Sequence, residues 1–213
     1  MRGAPFLATL IVVAAAVWIW RSIPAHSVVQ AHVERAAAGE NVPICPWREP
    51  ERDLVALFPG ATGYSTETRI LSAFMTPIQK RIGRPMTIDE NPLRIHRVNN
   101  GTQTSGAILV KRVKGEYGGV ELVIGITPQR QVAGVRIQSQ REPDSIVQAI
   151  TGWLPALRGN TADSALQPGQ DLSNVAPDAR ATARAIAEGV RSTLIVFSFA
   201  EDSAGKSQSH EAH

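Results

Sequence analysis

The pattern of apolar and polar positions along the chain begins with a nearly continuous apolar run from Ala4 to Trp20. As a helix, this run would be about 26 Å long, at the short end of what spans the hydrocarbon core of a bilayer. Trp18 and Trp20 lie at the far end of the run, and Arg21 follows directly. This pattern is typical of the membrane–water interface. We therefore predict that residues 1–21 form a transmembrane anchor in the lipid bilayer.

A cleaved signal peptide is the alternative interpretation of the same run. Ala25-His26-Ser27 offers small residues at a position where a signal peptidase could cut. Paired tryptophans and the length of the apolar run favour a retained anchor. Basic residues do not decide its orientation, because Arg2 and the amino terminus on one side oppose Arg21 on the other.

Residues 22–52 are predicted to form a stalk or linker. Val28–Ala38 has helical apolar spacing, which glycine, asparagine and prolines then interrupt. Cys45 is the only cysteine, so an internal disulfide and a multi-cysteine metal site are excluded. Its proline-rich surroundings could suit a reactive thiol or an axial metal ligand, but a partly buried thiol in an extended segment is the favoured interpretation.

Short helical patterns open the body of the chain, which we place at residues 53–199. Asp53–Phe58 is amphipathic and is followed by Pro59-Gly60, which predicts a helix end. A second helix is predicted to begin with Thr76 as its N-cap and Pro77 at the first helical position, and to end at Gly83.

The middle of the body has the alternation and the turn residues of β-strands. The predicted strands are Leu93–Val98, Gly106–Val113, Val120–Ile126 and Val132–Ile137. Asp144 then caps a predicted helix, and a long helix is expected over residues 179–199, with a disordered tail at 200–213. Strands in the middle with helices before and after indicate an α+β domain with an antiparallel sheet.

Composition and motifs exclude several functional classes. The 22 basic and 19 acidic residues are interspersed and give a net charge of only +3, without the basic stripe of a nucleic-acid binder. We find no nucleotide-binding loop, no metal-binding motif and no nucleophile–base pattern, so we assign no catalytic or metal-ligating residue. His96, between Arg94 and Arg97, is interpreted as a surface or edge residue.

The strand–turn–strand region carries a family resemblance. Gly115–Ile126, the turn after it, Val132–Ile137 and Gln140-Arg141-Glu142-Pro143 closely resemble the FMN-binding domain family that includes the RnfG and NqrC subunits of redox-driven ion pumps and the flavoprotein NosR. Leu57–Ala61, Thr76–Lys80 and Arg184–Arg191 extend the resemblance over roughly residues 53–197. Members of that family are typically tethered by one N-terminal transmembrane helix and face the extracytoplasmic side. The resemblance thus implies a single-pass protein of the inner membrane with a periplasmic domain.

The resemblance also implies a flavin site that this chain has altered. In the family, the flavin phosphate is often attached to a threonine in a Ser-Gly-Ala-Thr segment before the last helix. That segment here is Pro177-Asp178-Ala179-Arg180, so Arg180 replaces the acceptor and Thr182 is the nearest hydroxyl. As an N-cap, Asp178 would compete with a phosphate for the free N–H groups of the helix, whereas Arg180 could bind a phosphate as a charged fork. Alternatively, Asp178 and Arg180 simply cap the helix and face solvent. The candidate cofactor-binding residues are Asp178, Ala179, Arg180, Thr182 and Glu142.

Two functions follow as expectations. One is an accessory or scaffold subunit of an integral membrane complex, redox or energy-converting, that has lost covalent flavin. The other is an electron-transfer module with noncovalently bound FMN, in which the cofactor would carry the redox step. The low aromatic content, 5%, favours the flavin-free interpretation because a flavin ring needs stacking partners.

Overall fold

Strands pair in the order in which they occur along the sequence. The computed structural model describes residues 50–164 and 172–210. The strands in these ranges are β1 (Gly63–Arg69), β2 (Leu93–Asn100), β3 (Gln103–Lys114), β4 (Gly119–Ile126) and β5 (Val132–Gln140). They form one five-stranded antiparallel sheet of order β1-β2-β3-β4-β5, so β1 and β5 are its edges.

Helices cover both faces of this sheet. They are α1 (Glu51–Leu57), α2 (Met75–Ile82), α3 (Asp144–Trp153) and α4 (Arg180–His210), with 3-10 turns at Ser72–Phe74, Leu154–Leu157 and Pro177–Ala179. One face packs on α1 through a small core that includes Leu54 and Val123. The other face packs on the remaining helices through a larger core that includes Leu122 and Ile186. Because β4 is an interior strand and is covered on both faces, its residues from Val120 to Ile126 are all buried.

The predicted α+β class with an antiparallel sheet is confirmed, and the four predicted strands are present with longer bounds. β1 was not predicted from the sequence. Its residues, Gly-Tyr-Ser-Thr-Glu-Thr-Arg, have no apolar alternation, and the strand forms because its backbone pairs with β2 along its whole length.

Two predicted helix starts differ from the structure, and one predicted helix end is confirmed. Thr76 is not an N-cap, since α2 starts at Met75 after a 3-10 turn; Pro77 is tolerated because the first-turn N–H groups have no helical partner anyway. The end of α2 at Gly83, with φ of 86°, is confirmed. Asp144 is the first residue of α3 rather than its cap.

The final helix is longer than predicted. Residues 200–210 were expected in a disordered tail, but α4 continues to His210. Tertiary contacts explain the difference: Ala200 is fully buried, Glu201 accepts hydrogen bonds from Arg97, and Asp202 accepts one from Arg130. Such partners stabilise a helical segment that composition alone does not favour.

The predicted anchor at residues 1–21 and the stalk up to residue 49, with Cys45, lie outside the described residues. In the described ranges, 50–164 and 172–210, no helix is both long enough and apolar enough to cross a bilayer.

Candidate functional site

The segment predicted to bind the flavin phosphate forms the entry to α4. Pro177–Ala179 is a 3-10 turn that is capped by no side chain. Asp178 is exposed and lies inside this turn, whose N-cap position is Ala176, so its predicted role as an N-cap is wrong. Ala179 is fully buried beneath the turn. Arg180 is exposed, and its Nε donates a hydrogen bond to the carbonyl oxygen of Val175 at 3.1 Å.

Thr182 and Glu142 are brought into direct contact, although they are distant in the sequence. The Thr182 side chain is fully buried one turn into α4, and its Oγ1 donates to Glu142 Oε2 at 2.8 Å. The same Oγ1 accepts a hydrogen bond from the backbone N–H of Glu116 at 2.9 Å. The hydroxyl is therefore used both as donor and as acceptor inside the protein.

The second oxygen of Glu142 is bound by the loop that joins β3 to β4. Glu142 Oε1 accepts hydrogen bonds from the N–H groups of Tyr117, at 3.1 Å, and Gly118, at 2.9 Å. Successive backbone N–H groups that converge on one point form an anion-binding nest. Gly115 N–H donates to the Gly118 carbonyl at 2.7 Å and closes this loop. The nest is thus filled by a carboxylate of the protein itself.

Gly115 is required by the close approach of this carboxylate. A Cβ atom at position 115 would lie 2.4 Å from Glu142 Oε1 and 3.0 Å from a methyl carbon of Thr182. Any side chain there would push the loop away from both partners. The glycine, the threonine and the glutamate, on three different segments, therefore form one unit, which we call the Glu142 nest.

These residues do not fit a flavin phosphate. The nest already holds a negative charge, which would repel a second anion. The Thr182 hydroxyl is buried and paired, Arg180 faces the Val175 carbonyl, and Asp178 adds another carboxylate at the helix entry. What the arrangement does is join the β3–β4 loop, the segment after β5 and the start of α4 by charge-assisted hydrogen bonds.

A second buried polar cluster joins the segment after α2 to β3. Lys111 Nζ lies 3.0 Å from carboxylate oxygens of both Glu90 and Asp89, and Arg84 donates two hydrogen bonds to Glu90. Burial alone would raise the pKa of Glu90, but the hydrogen bonds from Arg84 and from the N–H of Thr87, with the charge of Lys111, outweigh it and hold that pKa far below its ordinary value. All its charges are paired, which is typical of a structural network.

His96 is buried, so its interpretation as a surface residue is wrong. Its side chain packs edge-on against Tyr64, with ring centroids 5.5 Å apart, and a 2.9 Å hydrogen bond joins its Nδ1 to Thr66 Oγ1. Burial, followed by the positive charge of Arg94, lowers the pKa of His96 to about 4. The imidazole is therefore neutral at physiological pH.

A third polar feature lies along the edge of the sheet and was missed by the sequence analysis. A groove of about 520 Å³ follows β5 from Gly134 to Gln140, with α1 on one side and α3 on the other. Gln138 lines it, is buried, and has no hydrogen-bond partner for either side-chain amide atom within the described part of the chain. The only sequence signal is a glutamine at an inward-facing strand position, which by itself does not distinguish a binding site from a tolerated polar residue.

Candidate metal ligands do not cluster: no group of three or more histidine, cysteine, aspartate or glutamate side chains in ranges 50–164 and 172–204 could hold an ion.

Comparison of the chain with models of known protein families gives no match, and comparison with curated proteins gives none either. The resemblance to FMN-binding domains therefore stays a prediction based on the order and spacing of the motifs quoted above.

Proposed function

We propose that this chain is a membrane-anchored, extracytoplasmic subunit, similar to FMN-binding domains, that has lost covalent flavin and acts as an accessory or scaffold component of an integral membrane complex. The anchor and the periplasmic placement rest on the apolar run of residues 4–20 and on the family resemblance. The redox or energy-converting character of the complex rests on the resemblance alone.

The Glu142 nest is the observation that carries the flavin-free part of this proposal. A phosphate site needs free N–H groups, and the converging N–H groups of Tyr117 and Gly118 are bound to Glu142. A phosphoester would need a free hydroxyl, and the Thr182 hydroxyl is bound to the same carboxylate. The position that corresponds to the family's acceptor threonine is Arg180, which cannot form that ester.

Flavin content can be tested directly on the full chain, purified in a mild detergent. We expect a colourless protein, both before and after acid precipitation, and no quenching of FMN fluorescence when free FMN is titrated with it. A yellow acid supernatant, or saturable quenching, would instead identify a noncovalent electron-transfer flavoprotein. A yellow pellet would identify covalent flavin, and either result would overturn the proposal.

Membrane attachment and partner binding need separate measurements. We expect the full chain to stay in the membrane fraction after alkaline carbonate extraction, and a reporter fused after His213 to be active only on the extracytoplasmic side. In detergent extracts separated by native electrophoresis, it should migrate with a larger membrane complex. Migration as a free protein from freshly solubilised membranes would contradict the accessory-subunit function.

A further inference from the structure

The open edge of β5 has the geometry of a docking site for an extended polypeptide. On one side the strand pairs with β4, and at its start Val132 exchanges hydrogen bonds with Gly159 and Asn160. From Gly134 to Gln140, in the part of the chain that the structure describes, no backbone group of another segment pairs with the outer side, although the Arg52 guanidinium donates to the Gln138 carbonyl at 3.2 Å. This open stretch is about 20 Å long at roughly 3.3 Å per residue.

Gln138 occupies a special position on this edge. The pairing of β4 with β5 shifts between Glu121–Ser139 and Leu122–Ile137, so Gln138 is the extra residue of a β-bulge. A bulge changes the direction of a side chain relative to its neighbours. Here it accompanies a carboxamide that is 8% exposed, lines the groove, and has both Nε2 and Oε1 unpaired among the described residues.

An unpaired buried amide is costly unless a ligand completes it, because its polar atoms have lost water without gaining a partner. A carboxamide has a donor and an acceptor side by side, which matches the N–H and C=O groups of a peptide backbone. The neighbouring strand edge offers the same pattern of donors and acceptors. Both features therefore fit one ligand class, an extended main chain.

The walls of the groove indicate the side chains of that ligand. Leu57 of α1 lies on one side and Leu154, after α3, lies on the other, so apolar side chains would be covered on both sides. Guanidinium groups stand at the rim. Arg52 donates to the Gln138 carbonyl, and Arg158 donates to the Ala133 carbonyl.

Arg136 adds a third guanidinium, half exposed and paired with the fully buried Asp53. Three guanidinium groups thus face two carboxylates, that of Asp53 and that of Glu121, which accepts a hydrogen bond from the groove residue Ser139, so the rim is positive. It is complementary to a segment that carries Asp or Glu.

We infer that an extended, apolar segment with acidic residues, belonging to a partner protein, docks in this groove as a sixth strand beside β5 and pairs its backbone with the Gln138 carboxamide. This deepens the proposed function, on which it rests for the existence of a partner complex. Strand addition to an open sheet edge is an established mode of peptide recognition, in which main-chain hydrogen bonds provide affinity and side-chain pockets provide specificity.

Two other occupants fit less well. The segment just before the described body, Val42–Glu49, contains Pro43 and Pro46. Because their separation is odd, their nitrogen atoms lie on opposite edges of an extended strand, so one of them would remove a ladder hydrogen bond in either orientation. A second copy of this chain would bring two arginine-rimmed edges together, and like charges oppose that pairing.

The test uses the full chain in detergent and an array of randomised heptapeptides, each with two acidic and three apolar residues. We expect a subset to bind, and the Gln138→Leu variant to weaken that binding roughly tenfold or more. Gln148→Leu is the matched control, because Gln148 is exposed on α3 and does not line the groove. No binding by any peptide, or binding unchanged by Gln138→Leu, would overturn the inference.

Two further measurements identify the binding mode and the occupant. N-methylation of ladder-facing amides in a binding peptide should abolish binding, whereas methylation of the opposite amides should not; equal effects would exclude strand addition. A photo-crosslinking residue at Thr151, which lines the groove, should capture the peptide. Adducts with residues 42–49 of the same chain, or with a second copy, would assign the groove to those occupants and overturn the inference.

These outcomes are separable from those of the proposed function. A yellow protein that binds the peptides would contradict the flavin-free function and leave the docking groove intact. A colourless protein that binds no peptide would overturn the docking groove and leave the flavin-free function intact.

Discussion

Glu142 and Gln138 lie four residues apart on the chain, are similarly buried, and have opposite hydrogen-bonding states. Each oxygen of the Glu142 carboxylate is paired, with two backbone N–H groups on one and the Thr182 hydroxyl on the other. Both amide atoms of Gln138 are unpaired within the described structure. The first site is complete, in the sense that its polar atoms have partners without a ligand, whereas the polar atoms of the second site lack partners among the described residues.

This difference changes where a ligand should be sought. The family resemblance directs attention to the entry of α4, where the side chains of Thr182, Glu142 and Arg180 already have hydrogen-bond partners within the protein. The open edge of β5 has no motif, yet it combines a buried unpaired amide, a strand edge that pairs with no other backbone segment among the described residues from Gly134 to Gln140, and a positive rim. Burial of polar groups is informative only together with their partners.

The largest expected effect comes from breaking the complete site. Glu142→Ala removes the acceptor of three donors, the buried Thr182 hydroxyl and two part-buried loop N–H groups, and because each unsatisfied donor is costly the free energy of unfolding should fall by about 4 kcal/mol. Urea denaturation followed by circular dichroism measures this change. Glu116→Ala is the matched control: its side chain is exposed in the same loop, and it should change stability by less than about 0.5 kcal/mol. Equal effects of the two variants would show that the nest is not stabilising.

His96 should make the stability of the protein depend on pH, because its buried imidazole is favoured in the neutral form. The unfolded chain takes up a proton near pH 6.5, but the folded protein does so only near pH 4 because burial and then Arg94 lower the pKa of His96. The unfolded state therefore binds more protons between these values. Stability should decrease by roughly 3 kcal/mol as the pH falls from 6.5 to 4, with no further loss from this group below that range.

The control for this prediction is His96→Gln, which keeps a neutral polar side chain. The stability of this variant should depend much less on pH between 6.5 and 5 than that of the wild type. If wild type and variant have parallel stability curves over this interval, His96 is not the group responsible.

A smaller effect of opposite sign is expected at the incomplete site. Gln138→Leu replaces an unpaired buried amide by an apolar side chain of similar size, so the free energy of unfolding should rise by about 1 kcal/mol. Gln148→Leu, at an exposed position, should change it by less than about 0.5 kcal/mol. A loss of stability in Gln138→Leu would mean that the amide is already paired in solution, and the contrast with Glu142 would disappear.

The smallest effect is expected at Arg180, the residue that replaces the family's acceptor threonine. Arg180→Ala removes an exposed side chain and one hydrogen bond to the Val175 carbonyl, so stability should fall by only about 0.5 kcal/mol. The FMN fluorescence titration should be as flat for this variant as for the wild type. Weaker quenching by the variant than by the wild type would show that Arg180 binds a phosphate after all.

Periodic apolar residues were enough to predict the fold class and most of the elements. The strands from Leu93 onward and the long last helix carry a local signal, since their inward-facing positions are apolar at the spacing of a strand or a helix. β1 and residues 200–210 carry no such signal. They owe their structure to partners far away in the sequence, such as the β2 backbone and the Arg97 side chain.

For the candidate sites too, the sequence indicated some residues, whereas the contacts between them depend on the fold. Sequence motifs singled out Glu142 and Thr182 separately, as possible contacts of a cofactor, but did not predict that the two side chains bind each other. Their contact depends on the fold that brings the end of β5 against the start of α4. Gln138 had only the weak signal of a glutamine at an inward-facing strand position, because the bulge in strand pairing and the open edge seen among the described residues are properties of the sheet. Local apolar spacing thus determined most of the elements, while only the tertiary structure decided the formation of β1 and of the end of α4, and which polar groups are paired and which remain open to a partner.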